Sequence, residues 1–216
     1  MQRLPFIGHI ANSATRFNYS WATLPCWCST SGPDTERFIS GRDGKGNPLD
    51  FWLCEACQTI RANPYFDEKS CQQLYQDTQD HWTISLERKN EQLQWGKKFA
   101  FGRSVADVDI FWKDHLTKGG PYDLVLLSHV LEHVREPASL IRELQSSLNL
   151  DPDYSFLIEV PKVKADISMP MWIYKLDMFH PWAWNTQSLL YFLDYAHLRV
   201  IAIDTAFHLR VLAKPL

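Results

Sequence analysis

His129, Glu132 and His133 follow closely on a short apolar run near the middle of the chain. Imidazole and carboxylate side chains act as general acids and bases, and both also bind divalent metal ions. The apolar run, residues 124–127, is typical of a buried strand in a parallel sheet that is covered on both faces. Ligands of open α/β sheets bind beyond the carboxyl ends of the strands, so the sequence predicts a functional site directly after residue 127.

The same three side chains have more than one use. If a helix begins after Ser128, residues 129, 132 and 133 lie on one face, and both imidazoles and the carboxylate approach a common point. There they could remove a proton from a substrate, or bind a metal ion as a trio. The alternative is that Glu132 and His133 cap or brace the start of that helix.

Four of the five cysteines form two close pairs, Cys26 with Cys28 and Cys54 with Cys57, separated by a turn-rich segment. This is the layout of a structural zinc ribbon, in which four thiolates surround the ion. So short a segment with few apolar residues needs a metal to fold. The alternatives are unrelated reduced cysteines or a disulfide, and a cytosolic compartment disfavours the disulfide. Cys71 stands apart, and we expect it to be a small buried helix residue.

Shorter signals describe the segments that follow the cysteines. Asn63 before a proline marks a turn, and Asp67 can cap a helix that runs toward Gln79. Residues 87–95 look helical and highly charged, while residues 105–112 fit either a strand or a short helix.

From residue 122 onward the pattern of apolar residues becomes regular, with continuous runs alternating with stripes of helical spacing. The expected elements, in order, are a strand over residues 124–127, a helix past Pro137, a strand over 156–160, an aromatic loop over 169–184, a helix capped by Asn185 or Thr186, and strands over 199–203 and 209–212. This alternation predicts a three-layer α/β sheet with an antiparallel last strand at or near its edge.

The composition limits the class of protein. With 216 residues, of which 45% are hydrophobic, the chain can bury a substantial core. We divide it into a zinc-ribbon-like segment with its following helix, an irregular connecting region and an α/β domain, over residues 1–80, 81–121 and 122–216. A formal charge of -3 and a pI near 6.2 provide no cationic field for nucleic acid. No apolar run approaches the roughly 20 residues that span a bilayer, and no basic segment followed by an apolar one opens the chain. We therefore expect a cytoplasmic protein without membrane contact.

Several of these segments resemble a known family. Residues 122–125 (Tyr-Asp-Leu-Val), 130–134 (Val-Leu-Glu-His-Val) and 159–161 (Glu-Val-Pro), with the closing hairpin, resemble the second half of class I methyltransferases that use S-adenosylmethionine. The first part resembles the zinc-binding N-terminal segment of a subset that includes sugar C-methyltransferases and enzymes of polysaccharide clusters. That second match rests on residues 43–44, 54–57, 63–64 and 74–75.

The resemblance implies cofactors, an acceptor and roles for single residues. The cofactors would be S-adenosylmethionine and structural zinc, and the acceptor a sugar or another small polar molecule, for instance a nucleotide-sugar or a glycan. Leu127, Ser128 and His129 would edge the cofactor pocket. His180 corresponds to a histidine on the substrate side and joins the three catalytic candidates named above, although a lone histidine among aromatic residues is often simply packed. A second subunit could complete the site, so an oligomer is compatible with the sequence.

The chain departs from the family in one respect. Members carry a glycine-rich turn, G-x-G-x-G, after one strand and an acidic residue after the next, and the turn lets the backbone approach the cofactor. Neither is found in this sequence, so we expect a reduced Rossmann-like sheet with fewer strands than is usual. Two functions follow: a methyltransferase, or a non-catalytic zinc-containing scaffold or partner-binding protein derived from one. The acidic balance disfavours a zinc-ribbon protein that binds nucleic acid.

Overall fold

The computed structural model describes residues 20–28, 36–42, 48–78, 102–108, 112–114, 116–163, 180–206 and 208–216. Within them the chain forms eleven strands in three sheets and three α-helices. None of these three helices has both the length and the apolar character that crossing a membrane requires. The predicted helix over residues 87–95 lies outside the described residues.

The largest sheet has five strands: β6 (Val105–Val108), β7 (Tyr122–Ser128), β8 (Leu150–Pro161), β10 (Leu198–Asp204) and β11 (His208–Pro215). Their order across the sheet is β10-β11-β8-β7-β6. Strands β6, β7 and β8 are parallel to one another, whereas β11 is antiparallel to β8 and β10 is antiparallel to β11. The closing hairpin therefore forms one side of the sheet, with β10 at the edge.

Parallel pairing of β7 with β8 is the feature on which the predicted fold depends. Val125 pairs with Phe156 and Leu127 with Ile158, and all four side chains are completely buried. Continuous apolar runs of this kind are typical of strands in the interior of an α/β domain. The predicted mixed α/β sheet, parallel in its centre, is confirmed.

The first helix, α1 (Glu68–Thr78), has the predicted cap. Asp67 Oδ1 accepts a hydrogen bond from the backbone N–H of Ser70 at 2.8 Å. Cys71 lies in this helix and is buried, as expected. Further along, the segment that fits a strand or a short helix contains β6 and then a 3-10 turn over Trp112–Asp114.

The other two helices, α2 (Pro137–Ser147) and α3 (Thr186–Tyr195), confirm the predicted apolar stripes. In α3 the side chain of Asn185 accepts from the N–H of Ser188 at 2.8 Å, and the hydroxyl of Ser188 accepts from the N–H of Asn185 at 3.0 Å. This reciprocal pair is a capping box, and it fixes where the helix begins. The buried residues of α2 recur at helical spacing: Leu140, Ile141 and Leu144.

The N-terminal part forms two small antiparallel sheets. The strands of the larger one are, in spatial order, β2 (Glu36–Arg42), β3 (Pro48–Leu53), β4 (Ile60–Ala62) and β9 (Trp182–Ala183), while β1 (Trp21–Ala22) pairs with β5 (Tyr65–Phe66). The expected turn-rich hairpin is β2 with β3. Strand β9 is a correction, because the sequence predicts a loop there. Two residues are too few to show a strand periodicity.

One hydrophobic core extends from these small sheets into the main sheet. Trp182 and Trp184, from the segment around β9, are both buried within it. Arg135, just after the turn that follows β7, donates hydrogen bonds to the carbonyl of Phe66 and, at 2.8 Å, to that of Thr23. The N-terminal part is therefore attached beside the carboxyl end of β7.

Candidate functional site

The backbone turns sharply where β7 ends. His129 has a φ of 55°, in the left-handed region that residues other than glycine rarely adopt. Its N–H donates to the carbonyl of Glu159, at the end of β8, at 2.9 Å. Backbone strain of this kind costs on the order of 1 kcal/mol or more and is concentrated at functional sites. The left-handed residue thus directs the chain across the carboxyl ends of two parallel strands.

This geometry corrects the expected local helix. Residues 131–133 form a turn, and α2 begins only at Pro137 with Glu136 as its N-cap. A helix directly after β7 is therefore wrong, because the left-handed residue interrupts any right-handed turn. Glu132 and His133 do not cap a helix either, because the N-cap of α2 is Glu136. That they brace the start of α2 stays a prediction.

His129 lies between two buried carboxylates. Its Nδ1 is 2.9 Å from Oε1 of Glu132, and its Nε2 is 3.3 Å from Oε1 of Glu159. Oε2 of Glu159 accepts a hydrogen bond from Nε of Arg210 at 3.0 Å. The carboxylate side chains are only 1% and 5% exposed, so salt screens these charges little. Acidic and basic groups therefore alternate along a line from Glu132 to Arg210.

These contacts set the protonation states. Burial works against the charged form of His129, but the carboxylates of Glu132 and Glu159 outweigh it and raise the pKa of His129 to about 9. Burial also opposes the ionised form of Glu159, yet His129 and Arg210 lower its pKa to about 2. The pKa of Glu132 is lowered too, against burial, by His129 and two further histidines. At neutral pH the cluster holds an imidazolium and two carboxylates.

A second group of ligating side chains adjoins the first through Glu132. Nε2 of His133 is 3.9 Å from Oε1 of Glu132, and the rings of His133 and His180 meet edge to face with centroids 4.5 Å apart. Ligating atoms of Glu132, His133 and His180 all lie within 4.8 Å of one another. His180 comes from the segment before β9, so the structure brings together all four predicted catalytic residues.

Sequence analysis misses three residues of this site: Glu159, His208 and Arg210. Glu159 lies opposite Ser128 in the parallel register, and Arg210 lies opposite Glu159 in the antiparallel register. The ring of His208 meets that of His129 with centroids 5.2 Å apart, and His129, Glu159 and His208 form a second set of ligating atoms within 4.8 Å. Glu159 could have been found from its place at the carboxyl end of a strand next to β7.

The expected cofactor-binding residues lie at the same edge. Leu127 is completely buried in the core, so only its backbone can reach a ligand. Ser128 is the last residue of β7, and its Oγ is enclosed without a hydrogen-bond partner among the residues that the structure describes. Buried hydroxyls normally have a partner, so an unsatisfied one at the end of a parallel strand points to a ligand or a water.

The four paired cysteines converge. Sγ of Cys26 is 3.4 Å from that of Cys57, and Sγ of Cys28 is 3.7 Å from that of Cys54. All four sulfur atoms lie within 4.8 Å of one another. In a zinc tetrathiolate with bonds of about 2.3 Å, the sulfur atoms lie about 3.8 Å apart, whereas a disulfide joins them at about 2.05 Å. The spacing fits a tetrahedral metal ion and excludes two disulfides.

Four hydrogen bonds join the small sheets and the cysteine cluster to the rest of the described chain. The amide of Asn185, at the start of α3, donates to the carbonyl of Gln58, next to the last cysteine, at 3.0 Å. Nε1 of Trp182 in β9 donates to the carbonyl of Val134 at 2.8 Å. Arg135 supplies the other two bonds, described above. The small sheets are therefore bonded directly to residues 134 and 135, which follow Glu132 and His133.

Comparison with known proteins gives one match that covers most of the chain. A family model described as a methyltransferase domain matches residues 49–209, a range that includes the second cysteine pair and the whole charged cluster except Arg210. No curated protein sequence matches the chain.

Solved structures are similar over a smaller part of the chain. An O-methyltransferase family 2 protein from Planctomyces limnophilus, in complex with apigenin, is 21% identical over 45% of this chain and 31% of its own, with a TM-score of 0.37. A 1,6-didemethyltoxoflavin-N1-methyltransferase from Burkholderia thailandensis, with bound S-adenosylhomocysteine, is 14% identical over 44% of each chain, with a TM-score of 0.34. The chain thus spans less than half the length of either protein.

Proposed function

The chain belongs to the methyltransferase domain family, and on that premise we propose that it transfers a methyl group from S-adenosylmethionine to a small polar acceptor. The observation that carries the proposal is the convergence of His129, Glu132, His133 and His180 at the carboxyl ends of β7 and β8. Ligands of open α/β sheets bind at this edge.

The proposed position of the cofactor is the end of β7, beside Leu127 and His129. The buried hydroxyl of Ser128 would hold its polar part, because this hydroxyl has an unused hydrogen bond, whereas the N–H of His129 is already bonded to the carbonyl of Glu159. When bound, S-adenosylmethionine supplies a methyl group on a positively charged sulfur. Transfer of that group requires mainly that acceptor and methyl carbon be held in line at about 3–3.5 Å.

The residues of the site divide the remaining tasks. His129 is protonated at neutral pH, so it acts as a fixed positive charge that orients Glu132 and Glu159. His133 and His180 meet on the other side of Glu132 and form the acceptor side of the site. We propose a sugar, free or carried by a nucleotide or glycan, as the acceptor. Support for this class comes from the resemblance of the N-terminal segment to that of sugar C-methyltransferases.

We also propose that Cys26, Cys28, Cys54 and Cys57 bind a structural zinc ion. The sulfur–sulfur distances support this, as does the chemistry of four thiolates, which leaves no coordination position open. The ion would hold the N-terminal sheet in place and take no part in the transfer.

Binding of S-adenosylmethionine, measured by isothermal titration calorimetry, tests the proposed activity. We expect saturable binding that His129→Ala weakens by about tenfold or more, through loss of the group that orients both carboxylates. His197→Ala is a matched control, because His197 has nearly the same left-handed φ of 56° but is exposed at the end of α3. Equal affinities in the two variants would remove His129 from the binding site.

A non-catalytic zinc-containing scaffold or partner-binding protein is the second candidate. The observation that favours it is the lack of a G-x-G-x-G turn in the sequence. If no saturable binding is seen at about 1 mM S-adenosylmethionine, the scaffold is favoured, because the KM values of enzymes typically lie between about 1 μM and 1 mM.

A further inference from the structure

We propose that Glu132, His133 and His180 bind a divalent transition-metal ion at the acceptor side of the site. This ion would be distinct from the zinc of the cysteine cluster. Two imidazoles and one carboxylate are a common ligand set for Zn²⁺, Fe²⁺ and Co²⁺ when the ion keeps a coordination position open for a substrate.

The geometry of the three side chains carries the proposal. Their ligating atoms lie within 4.8 Å of one another, the span that a single ion can bridge. Glu132 and His133 are neighbours in the turn over residues 131–133, and this turn brings both side chains toward His180.

An independent observation points to an ion at the same place. Glu132 is 1% exposed, and its Oε2 has no hydrogen-bond partner among the residues described by the structure, while its Oε1 contacts His129. A buried carboxylate oxygen without a partner lowers the free energy of unfolding, so a protein that retains one normally supplies a cation or a proton donor. A metal ion bound by Glu132 would meet that need.

The neighbouring set of His129, Glu159 and His208 is the weaker candidate. Both oxygens of Glu159 already have partners: Oε1 lies 3.3 Å from Nε2 of His129, and Oε2 accepts from Nε of Arg210 at 3.0 Å. Glu132, in contrast, has one oxygen without a partner among the described residues. Both ring nitrogens of His129 also lie within 3.3 Å of carboxylate oxygens. His129 is better suited to orient Glu132 from outside the coordination shell, a role that such histidine–carboxylate contacts play in metal sites.

A metal ion at this place would narrow the chemical class of the methyl acceptor. An ion with three protein ligands has room for an oxygen of the acceptor, and it would lower the pKa of a hydroxyl bound there. Acceptors with a hydroxyl or carboxylate at or next to the methylated atom would be favoured. This role rests on the proposed function, whereas the existence of the metal site does not.

Titration with Co²⁺ of full-length protein that carries one zinc per chain, at the cysteines, tests the site without any activity measurement. We expect one Co²⁺ per chain beyond the cysteine-bound zinc, with visible d–d absorption and no thiolate-to-cobalt charge-transfer band. Glu132→Gln and His180→Asn should each weaken binding by at least about tenfold. The matched controls, Glu143→Gln and His197→Asn, change side chains outside the site and should leave the affinity unchanged. His180→Asn alone decides the matter if Glu132→Gln does not fold, since His180 is partly exposed.

Two results would overturn the proposal. They are no cobalt bound at about 1 mM, and the same affinity in all four variants. Calorimetry with S-adenosylmethionine separates the two ideas. If the protein binds cobalt but not S-adenosylmethionine, the proposed methyl transfer is wrong and the metal site stands. If it binds S-adenosylmethionine but not cobalt, only the proposed metal site is wrong.

Discussion

His129 cannot act as a neutral base at physiological pH, because a pKa of about 9 leaves its imidazole almost entirely protonated at pH 7. Its contribution is a charge held between Glu132 and Glu159 at distances of 2.9 and 3.3 Å. A buried ion cluster is stable only when every charge has a counter-charge, and here Arg210 completes the balance. Removal of any one member should therefore destabilise the fold as well as the site.

The pH dependence of stability in a Glu159 variant tests whether the ion cluster stabilises the fold. Its folded-state pKa of about 2 lies below its ordinary value of 4.5, so ionised Glu159 stabilises the fold by on the order of 3 kcal/mol. That contribution is present in full above the unfolded-state pKa and is lost as pH falls through about 2. Glu159→Gln should therefore be less stable than the natural chain at neutral pH, and the two should converge as pH falls toward about 2. Urea unfolding across that range measures both free energies.

Glu143→Gln is the control for this experiment. Glu143 pairs with Lys113 at 2.6 Å, but its side chain is 43% exposed, so its removal should change stability by under about 1 kcal/mol. A stability gap between Glu159→Gln and the natural chain that stays constant down to acidic pH would contradict the assigned ion cluster.

The proximity of site residues that are close in the sequence could be predicted. The contact of Arg210 with Glu159, which depends on the register between two distant strands, could not. His129, Glu132 and His133 follow one apolar run, so their proximity is visible in the sequence. Arg210 meets Glu159 only because β11 pairs with β8 in one particular register. Side chains alternate between the faces of a strand, and a shift by one residue would point Arg210 to the other face. Nothing local in the sequence specifies that register.

At the scale of elements, the start of α3 joins the helix to the cysteine cluster. Asn185 both caps the helix, with 2.8 Å to the N–H of Ser188, and donates its amide to the carbonyl of Gln58 at 3.0 Å. Asn185→Ala removes both contacts, so we expect a loss of about 1–2 kcal/mol in thermal or urea unfolding. Asn185→Asp retains the capping oxygen and removes only the amide donor, so it should recover most of the helix cap. If the two variants were equally destabilised, the contact with Gln58 would outweigh the cap.

Helices and strands with several apolar residues at regular spacing could be predicted from the sequence, because the burial of those residues also stabilises them. The buried stripe of α2 and the continuous apolar runs of β7 and β8 each contain several residues that must face the core. Strand β9 has two residues and forms only because β4 offers an unpaired edge. Its formation depends on the tertiary structure, and therefore no local pattern predicts it.

At the scale of the whole molecule, β9 links the cysteine cluster to the site, because it pairs with β4 and directly follows the segment of His180. We expect the four cysteines to hold one zinc per chain and Cys54→Ser to lose that ion. Without the ion, the sheet that contains β4 should loosen and release β9. Amide hydrogen exchange of Trp182 and Ala183 should then rise by about tenfold or more, while the hairpin of β10 and β11 stays protected.

Cys71→Ser separates loss of zinc from general destabilisation. Cys71 is as buried as Cys54, each being 7% exposed, but it lies in α1 and outside the group of four sulfur atoms. The variant should therefore keep its zinc and lose stability evenly, because a buried hydroxyl replaces a thiol without altering the metal ligands. Faster exchange at β9 in both variants would mean that the N-terminal sheet depends on packing alone. Faster exchange in Cys54→Ser only would show that a metal ion at the cysteines positions His180, since β9, the strand that follows this residue, pairs with β4.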